Sequence, residues 1–400
     1  MRCRICNSEN LESVIDLGQQ PWANDFIKKE HIGEEPFYPL RVVYCHDCHA
    51  AQLDYTVKKE VMFGNHTYLT GATKTTSEHF KRVAQRVDEE FFSNRKDKSV
   101  LDIGSNDGTQ LLHYQNMGYK ALGVESSKIT AEIANKAGVN TINEFFNLET
   151  VKKIDSKFDV INAAGVFYHL EEIHSVCEGI KEALKEDGVF VVHFIYMKDI
   201  FEHMTFDQIY HEHLLYYTLE TIGKLLNLHG LEMFDAYHSG SHGGTIIGYV
   251  GHKGTRQASE RLCKMQQAEQ ESNCNSIKAY RDFNQKIEIL KSKTLNYLQE
   301  QKKLGKRIFG LGSPLKGNTL LNHFGIGTDI LDCLAETNPL RDGLYSPGQH
   351  IPIVLQKDLK ENPDIYFVLA WNFKNEILER NADLIKEGVE FYFPVDVDNY

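Results

Sequence analysis

Long apolar runs are missing from this chain of 400 residues. No stretch reaches the about 18 apolar residues that a membrane-spanning helix requires, so no membrane partner is expected. Positive charge is also short. Lys and Arg number 44 against 56 Asp and Glu, a formal net charge of −12. That balance argues against nucleic acid or an anionic membrane as partner, since both select for basic surfaces. Cysteine is sparse, eight in all, and the opening Met1-Arg-Cys-Arg-Ile-Cys6 has no apolar core of the kind a signal peptide carries. The expectation is a cytoplasmic protein, in which thiols are free or metal-bound rather than paired as disulfides. What remains, 42% hydrophobic and 25% charged residues, is the composition of a globular protein, and the length asks for two or three domains.

Half of the cysteines fall into two C-x-x-C pairs, Cys3/Cys6 and Cys45/Cys48. Two such knuckles can set four thiolates tetrahedrally around zinc, at about 2.3 Å from the metal. Four thiolates leave no open position, so the ion would be structural. The gap between the pairs is wider than in most zinc ribbons. Leu17–Phe26 between them reads as loop, and Phe37–Tyr44 as a strand that delivers Cys45. A unit of this size has little core of its own and needs such a staple. His46 and His49 beside the second knuckle read as surface residues, and the lone Cys263 and Cys274 as small buried apolar residues.

Beyond this unit, strand and helix patterns alternate. Ser77–Phe92 carries Phe80, Val83, Val87 and Phe91 at helical spacing, with Ser77 as a candidate N-cap. Strands are expected at Val100–Gly104, Ala121–Glu125, Thr141–Phe146, Phe158–Gly165 and Val189–Ile195, with closing strands at Met233–Tyr237 and Gly244–Val250. Such a βαβ series predicts an α/β fold with a mostly parallel, doubly wound sheet. Arg256–Lys303 lacks Pro and Gly and predicts one or two long helices. A second α/β unit follows, with strands expected at Arg307–Gly312, Ile330–Ala335 and Ile365–Trp371, a helix over Glu376–Glu387 and a closing strand at Phe391–Val395. The expected division is 1–65, 66–253, 254–304 and 305–400.

Two glycine turns mark ligand sites. In Val100-Leu-Asp-Ile-Gly-Ser-Asn-Asp-Gly-Thr109 a strand runs through Gly104 and Gly108 into a helix, which places free N–H groups and a closely approachable backbone at a switch point of the sheet. The spacing is not that of the dinucleotide fingerprint G-x-G-x-x-G. Glu125 closes the second strand, where a carboxylate suits a ribose diol. The pair resembles the cofactor site of class I S-adenosylmethionine (SAM) methyltransferases. The second turn, Arg307–Thr319, carries Lys316 at its mouth and suits a phosphate.

The densest histidine set is Tyr210-His-Glu-His213, after the fifth strand. His169 follows the fourth on the same side of the sheet. Together they offer imidazoles, a phenol and a carboxylate for acid–base chemistry. A metal reading is weaker, because Glu212 would point away from both histidines on an extended strand. A histidine-rich surface loop is the blander alternative.

Taken in order, these motifs resemble the three-domain sugar C-methyltransferases of deoxysugar pathways, which act at C-3 of nucleotide-linked keto sugars. His242-Gly-Gly-Thr245, Asn338-Pro339 and Pro347-Gly-x-x-Ile-Pro352 match the same family in order. The resemblance implies a middle domain that binds SAM through Asp102, Gly104, Asn106, Asp107 and Glu125, with Phe145 and Phe146 beside the adenine and Ala163 and Ala164 lining the cofactor. It implies a C-terminal Rossmann-like domain that helps hold the nucleotide sugar, commonly a dTDP sugar, through Lys316, Asn318, Glu336, Asn338 and Arg341. It implies His213 with Tyr210 as base, Glu212 and His169 orienting the sugar or polarising its ketone, and Tyr68 reaching into the pocket. Two alternatives are an O- or N-methyltransferase for a glycan or natural-product precursor, and a non-catalytic, zinc-stapled protein with a SAM fold.

Overall fold

The computed structural model describes residues 1–64, 69–240 and 244–395. Three sheets follow one another along the chain. The first is antiparallel: β1 (Leu11–Pro21), β2 (Phe37–Cys45) and β3 (Ala51–Leu53), joined at its edge by β9 (Leu215–Tyr216), which arrives from far along the sequence. The stretch Leu17–Pro21, expected as loop, belongs to β1. Gly18, at φ +82, lets the strand bulge between Asp16 and Gln19 and then re-pair, so the polar spacing that looks like a loop is a kinked strand.

The central sheet has the order β10-β11-β8-β7-β4-β5-β6. Its parallel part is β4 (Ser99–Ile103), β5 (Lys120–Val124), β6 (Thr141–Ile142), β7 (Phe158–Ala164) and β8 (Leu184–Ile195). The antiparallel pair β10 (Leu231–Ser239) and β11 (Thr245–His252) closes it. Val100, Leu101 and Ile103 are buried in β4, as a strand covered on both faces requires. The third strand is shorter than its apolar pattern suggests. The Asn143 side chain donates to the carbonyls of Glu125 and Ser126 at 2.8 and 3.0 Å, and Asn147 then caps the helix Leu148–Ile154, so Phe145 and Phe146 lie in a turn. The preceding helix spans Lys74–Val87, with Thr73 as N-cap. Ser77 bonds to His113 instead, and Asp88–Phe92 continues as a π turn.

The C-terminal sheet is all parallel, in the order β14-β13-β12-β15-β16: β12 (Ile308–Leu311), β13 (Leu334–Glu336), β14 (Ile353–Leu355), β15 (Ile365–Val368) and β16 (Glu390–Tyr392). It is the expected second doubly wound unit, with its helix after β15 split into Lys374–Arg380 and Ala382–Lys386. Two helices, Glu260–Ser272 and Ile277–Lys303, connect the units. The longer one buries Tyr280, Phe283, Ile287, Thr294 and Leu298, a stripe at helical spacing. Tyr280 packs on Tyr44 of the first sheet at 5.4 Å, and Tyr297 stacks on Tyr392 of the last at 4.4 Å, so one helix ties both ends of the chain together. Cys274 is buried, but Cys263 is exposed on the outer face of its helix, contrary to expectation.

Candidate active site

In each doubly wound sheet the strand order reverses beside the first strand, and there the chain turns on a glycine with positive φ. Gly104 stands at φ +67, and a Cβ there would meet Val166 at 3.0 Å. Gly108 stands at φ +81, where a Cβ would meet Val139 at 3.0 Å. Asn106 between them also has a positive φ, 51°. Glu125, at the end of β5, accepts from the backbone N–H of Asn106 at 2.8 Å and of Ser127 at 2.7 Å. It is buried, and burial raises its pKa. Asp102 lies beneath it, pushed well above the ordinary carboxylate range by burial and then by Glu125.

The remaining cofactor candidates divide. Phe145 is half-buried under Lys59, whose Nζ lies 4.7 Å from the ring centroid, whereas Phe146 and Ala163 are packed in the core. Ala164 is half-buried at the end of β7. Asp107 serves the loop itself: it accepts from Thr109 N at 3.1 Å and from Gly71 N at 2.7 Å. Asn106 Oδ1 accepts from Thr70 N at 2.9 Å. The segment Thr70–Gly71 is thereby laid across the glycine loop. Tyr68 and His242 lie outside the described residues.

On the same side of the sheet, three aromatic side chains gather around His213. The ring centroids of Tyr210, Tyr168 and His169 lie 3.8, 4.7 and 5.2 Å from its own. The stretch 210–213 is a tight turn, closed by His213 N donating to Tyr210 O at 2.9 Å, and not the extended strand expected. His213 Nδ1 lies 2.6 Å from the carbonyl of Gln208. A carbonyl only accepts, so Nδ1 carries the proton and Nε2 is left as the basic nitrogen. Glu212 is buried, accepts from Trp22 Nε1 at 2.9 Å, and is pushed up to about 7 by burial, against the pull of that hydrogen bond. Burial also holds the Tyr210 hydroxyl far above the ordinary phenol range. His211, by contrast, faces away, edge-on to Tyr38 at 5.7 Å.

Sequence reasoning reads Trp22–Phe26 only as loop and misses its role, which is to join this turn to the C-terminal unit. Trp22 holds Glu212, the carbonyl of Ala23 accepts from Asn318 Nδ2 at 2.7 Å, and Phe26 lies 4.4 Å beneath the Arg341 guanidinium. Two isolated aromatic residues in a polar stretch carry no periodicity that would have flagged them. Beyond the loop, Gly312 turns at φ +80, and Glu336 accepts from Ser313 N at 2.9 Å, Thr337 N at 2.7 Å and Asn338 N at 3.0 Å. Burial works against its charge, but these donors win and hold Glu336 below the ordinary range. The second unit thus repeats the device of the first, an acid at the end of the neighbouring strand that grips the glycine turn. Asn338 caps the short turn Pro339–Arg341, and Arg341 donates to the carbonyl of Ser313. Lys316 lies across Trp371, its Nζ 3.4 Å from the ring centroid.

The metal-ligating set is compact. The sulfurs of Cys3, Cys6, Cys45 and Cys48 all lie within 4.8 Å of one another, the Cys3–Cys48 and Cys6–Cys45 pairs at 3.5 and 3.6 Å, and none is in a disulfide. A tetrahedron of thiolates around zinc requires separations of about 3.8 Å at the usual bond length, so the four fit the ion. His46 and His49 pair with Glu12 and Glu220 at the surface and not with this centre.

Comparison with known proteins matches three family models in chain order. "Putative zinc binding domain" covers residues 3–63, "Methyltransferase domain" 76–236 and "C-methyltransferase C-terminal domain" 240–396. C-methyltransferase NovU of Streptomyces niveus is 27% identical over 399 residues, which are 98% of this chain and 95% of that protein. The three matched models together span residues 3–396, in the order zinc-binding, methyltransferase and C-methyltransferase C-terminal domain. The chain is therefore a SAM-dependent methyltransferase with a zinc-binding N-terminal domain, and the non-catalytic alternative falls. A tRNA U34 carboxymethyltransferase of Campylobacter jejuni is 27% identical over 114 residues, covering 27% of this C-methyltransferase and 39% of that protein. Among solved structures, magnesium protoporphyrin IX methyltransferase of Synechocystis is similar over 44% of this chain and 79% of that one, with 12% identity and a TM-score of 0.34. No helix among the described residues is long and apolar enough to cross a membrane.

Proposed function

We propose that this enzyme methylates a carbon next to the ketone of a nucleotide-linked deoxysugar, C-3 of a dTDP-linked keto sugar being the substrate its sequence motifs favour. The observation that carries the reading is the turn 210–213, which presents one basic imidazole nitrogen beside a buried carboxyl that titrates near neutrality. A hydrogen next to a carbonyl is acidic enough for a positioned imidazole to remove near pH 7. His213 Nε2 takes that proton, and the Gln208 carbonyl keeps the ring in the right tautomer and stabilises the imidazolium. Protonated Glu212 donates to the ketone oxygen as negative charge develops there, with His169 and Tyr210 completing the wall around the enolate. SAM supplies the electrophilic methyl group.

Gly104, Asn106 and Glu125 hold SAM in this reading: the glycine turn admits the backbone closely, and the carboxylate takes the ribose hydroxyls. Asp102, Asp107 and the core residues Phe146 and Ala163 shape that site without facing it. Lys316 and Asn318 take the diphosphate, Arg341 frames the nucleotide side, and Glu336 and Asn338 fix the turn beneath it. The test is a screen of dTDP-, GDP- and CDP-linked keto sugars with SAM, with mass spectrometry to detect methylation and NMR to locate the new methyl. A C–CH₃ resonance on the carbon beside the ketone supports the reading. A methyl on oxygen or nitrogen overturns it in favour of the O- or N-methyltransferase alternative.

A further inference from the structure

Asp207 belongs to the short 3-10 turn Phe206–Gln208, which is buried throughout. Its Oδ2 accepts from Trp371 Nε1 at 2.6 Å, across 164 residues of sequence. Its Oδ1 is enclosed and takes no hydrogen bond from any described residue. On the face of the same indole lies the ammonium of Lys316, 3.4 Å from the ring centroid. Among the described residues Asp207 is the charged group that bears on Lys316: burial lowers the lysine to about 8, and Asp207 pulls it back up. The turn is also braced against the helix that carries the lysine, for Phe206 stacks on Phe324 at 5.3 Å, and Phe324 ends the helix Leu315–Phe324. The next residue, Gln208, is the one whose carbonyl holds His213.

We propose that Asp207, seated by Trp371, is a positioning residue that keeps Lys316 cationic and in place for the diphosphate of the substrate. The inference rests on the nucleotide-sugar reading of the site. An ammonium lying on an indole and half removed from water loses its proton readily unless a fixed anion stands nearby. A carboxylate bonded to the edge of that same indole supplies the anion at a fixed place. Without it a diphosphate would meet a lysine that is neutral over much of the physiological range and free to leave the ring.

The experiment is calorimetric titration of thymidine diphosphate and of inorganic pyrophosphate into the full-length zinc-loaded protein from pH 6 to 9.5, for the wild type, Asp207→Asn and Lys316→Arg. Wild-type affinity should hold to about pH 8 and then fall as Lys316 loses its proton. In Asp207→Asn the fall should begin at least one pH unit lower, with affinity at pH 8 reduced about tenfold. Lys316→Arg, whose charge persists at every pH, should flatten the profile. SAM affinity, measured alongside, should be the same in all three proteins and certifies that the variants fold. Superimposable profiles for Asp207→Asn and wild type would overturn the inference and leave the nucleotide-sugar reading standing. Failure of both diphosphates to bind the wild type would overturn the reading and the inference with it.

Discussion

Glu212→Gln separates the proposed proton donor from a merely buried acid. Burial raises Glu212 from an ordinary 4.5 to about 7, so the folded protein binds its proton more tightly than the unfolded chain does. Below pH 4.5 both states are protonated, and the group has no effect on stability. Between 4.5 and 7 the folded state holds the extra proton, so stability falls as pH rises, and above 7 the loss is complete. A shift of this size corresponds to about 3 kcal/mol, at 1.36 kcal/mol for each pH unit. Gln cannot ionise, yet its carbonyl can still accept from Trp22 Nε1. Glu212→Gln is therefore about as stable as wild type at pH 4.5 and about 3 kcal/mol more stable at pH 8.5. Paired urea titrations at the two pH values measure this, because the other buried acids are common to both proteins. In the same variant the turnover number drops at least tenfold, and the alkaline limb of the rate profile near pH 7 is lost, since a neutral amide is a poorer donor to a developing enolate oxygen. Equal stability differences at pH 4.5 and 8.5 would refute the burial argument. Full turnover would refute the catalytic one.

Three further perturbations probe other parts of the account. Trp22→Phe removes the indole N–H that donates to the buried Glu212 carboxyl. It should raise that pKa further and lower turnover severalfold with little change in SAM affinity, read from the pH–rate profile and calorimetry. Gly104→Ala meets both a positive φ and Val166, and should lose SAM binding at least tenfold by calorimetric titration while the zinc content stays at one per chain. Cys45→Ser should lose the zinc in elemental analysis. Because β9 pairs with β3 and follows directly from the His213 turn, it should also raise hydrogen exchange at Leu214–Tyr216.

How much of this was legible in the sequence depended on whether the signal was local. Strands β4, β7 and β8 carry runs of apolar residues buried on both faces, and those runs mark them directly. The glycine loop, the double C-x-x-C and the Tyr210–His213 set are contiguous, so their chemistry is visible without coordinates. Elements that owe their shape to distant partners were not legible. Leu215–Tyr216 is a strand only because Ala51 and Gln52 offer an open edge. Thr141–Phe146 has the composition of a strand, but the Asn143 side chain ends it after two residues. Trp22 with Glu212 and Asp207 with Trp371 are single pairs across 190 and 164 residues, and no periodicity announces a single pair. Cys263 shows the converse error: a lone cysteine was read as buried, but its position on the solvent face of a two-faced helix decides otherwise.

The claim at the centre of this account is that His213 removes a proton from carbon before the methyl group is transferred. It is tested most directly by incubating the enzyme with its keto-sugar nucleotide in deuterated buffer without SAM and following the hydrogen on the carbon beside the ketone by NMR. The account predicts that wild-type protein exchanges this hydrogen for deuterium, and that His213→Ala, still binding SAM with wild-type affinity, exchanges it at least a hundredfold more slowly. Exchange at the same rate in both proteins would contradict it.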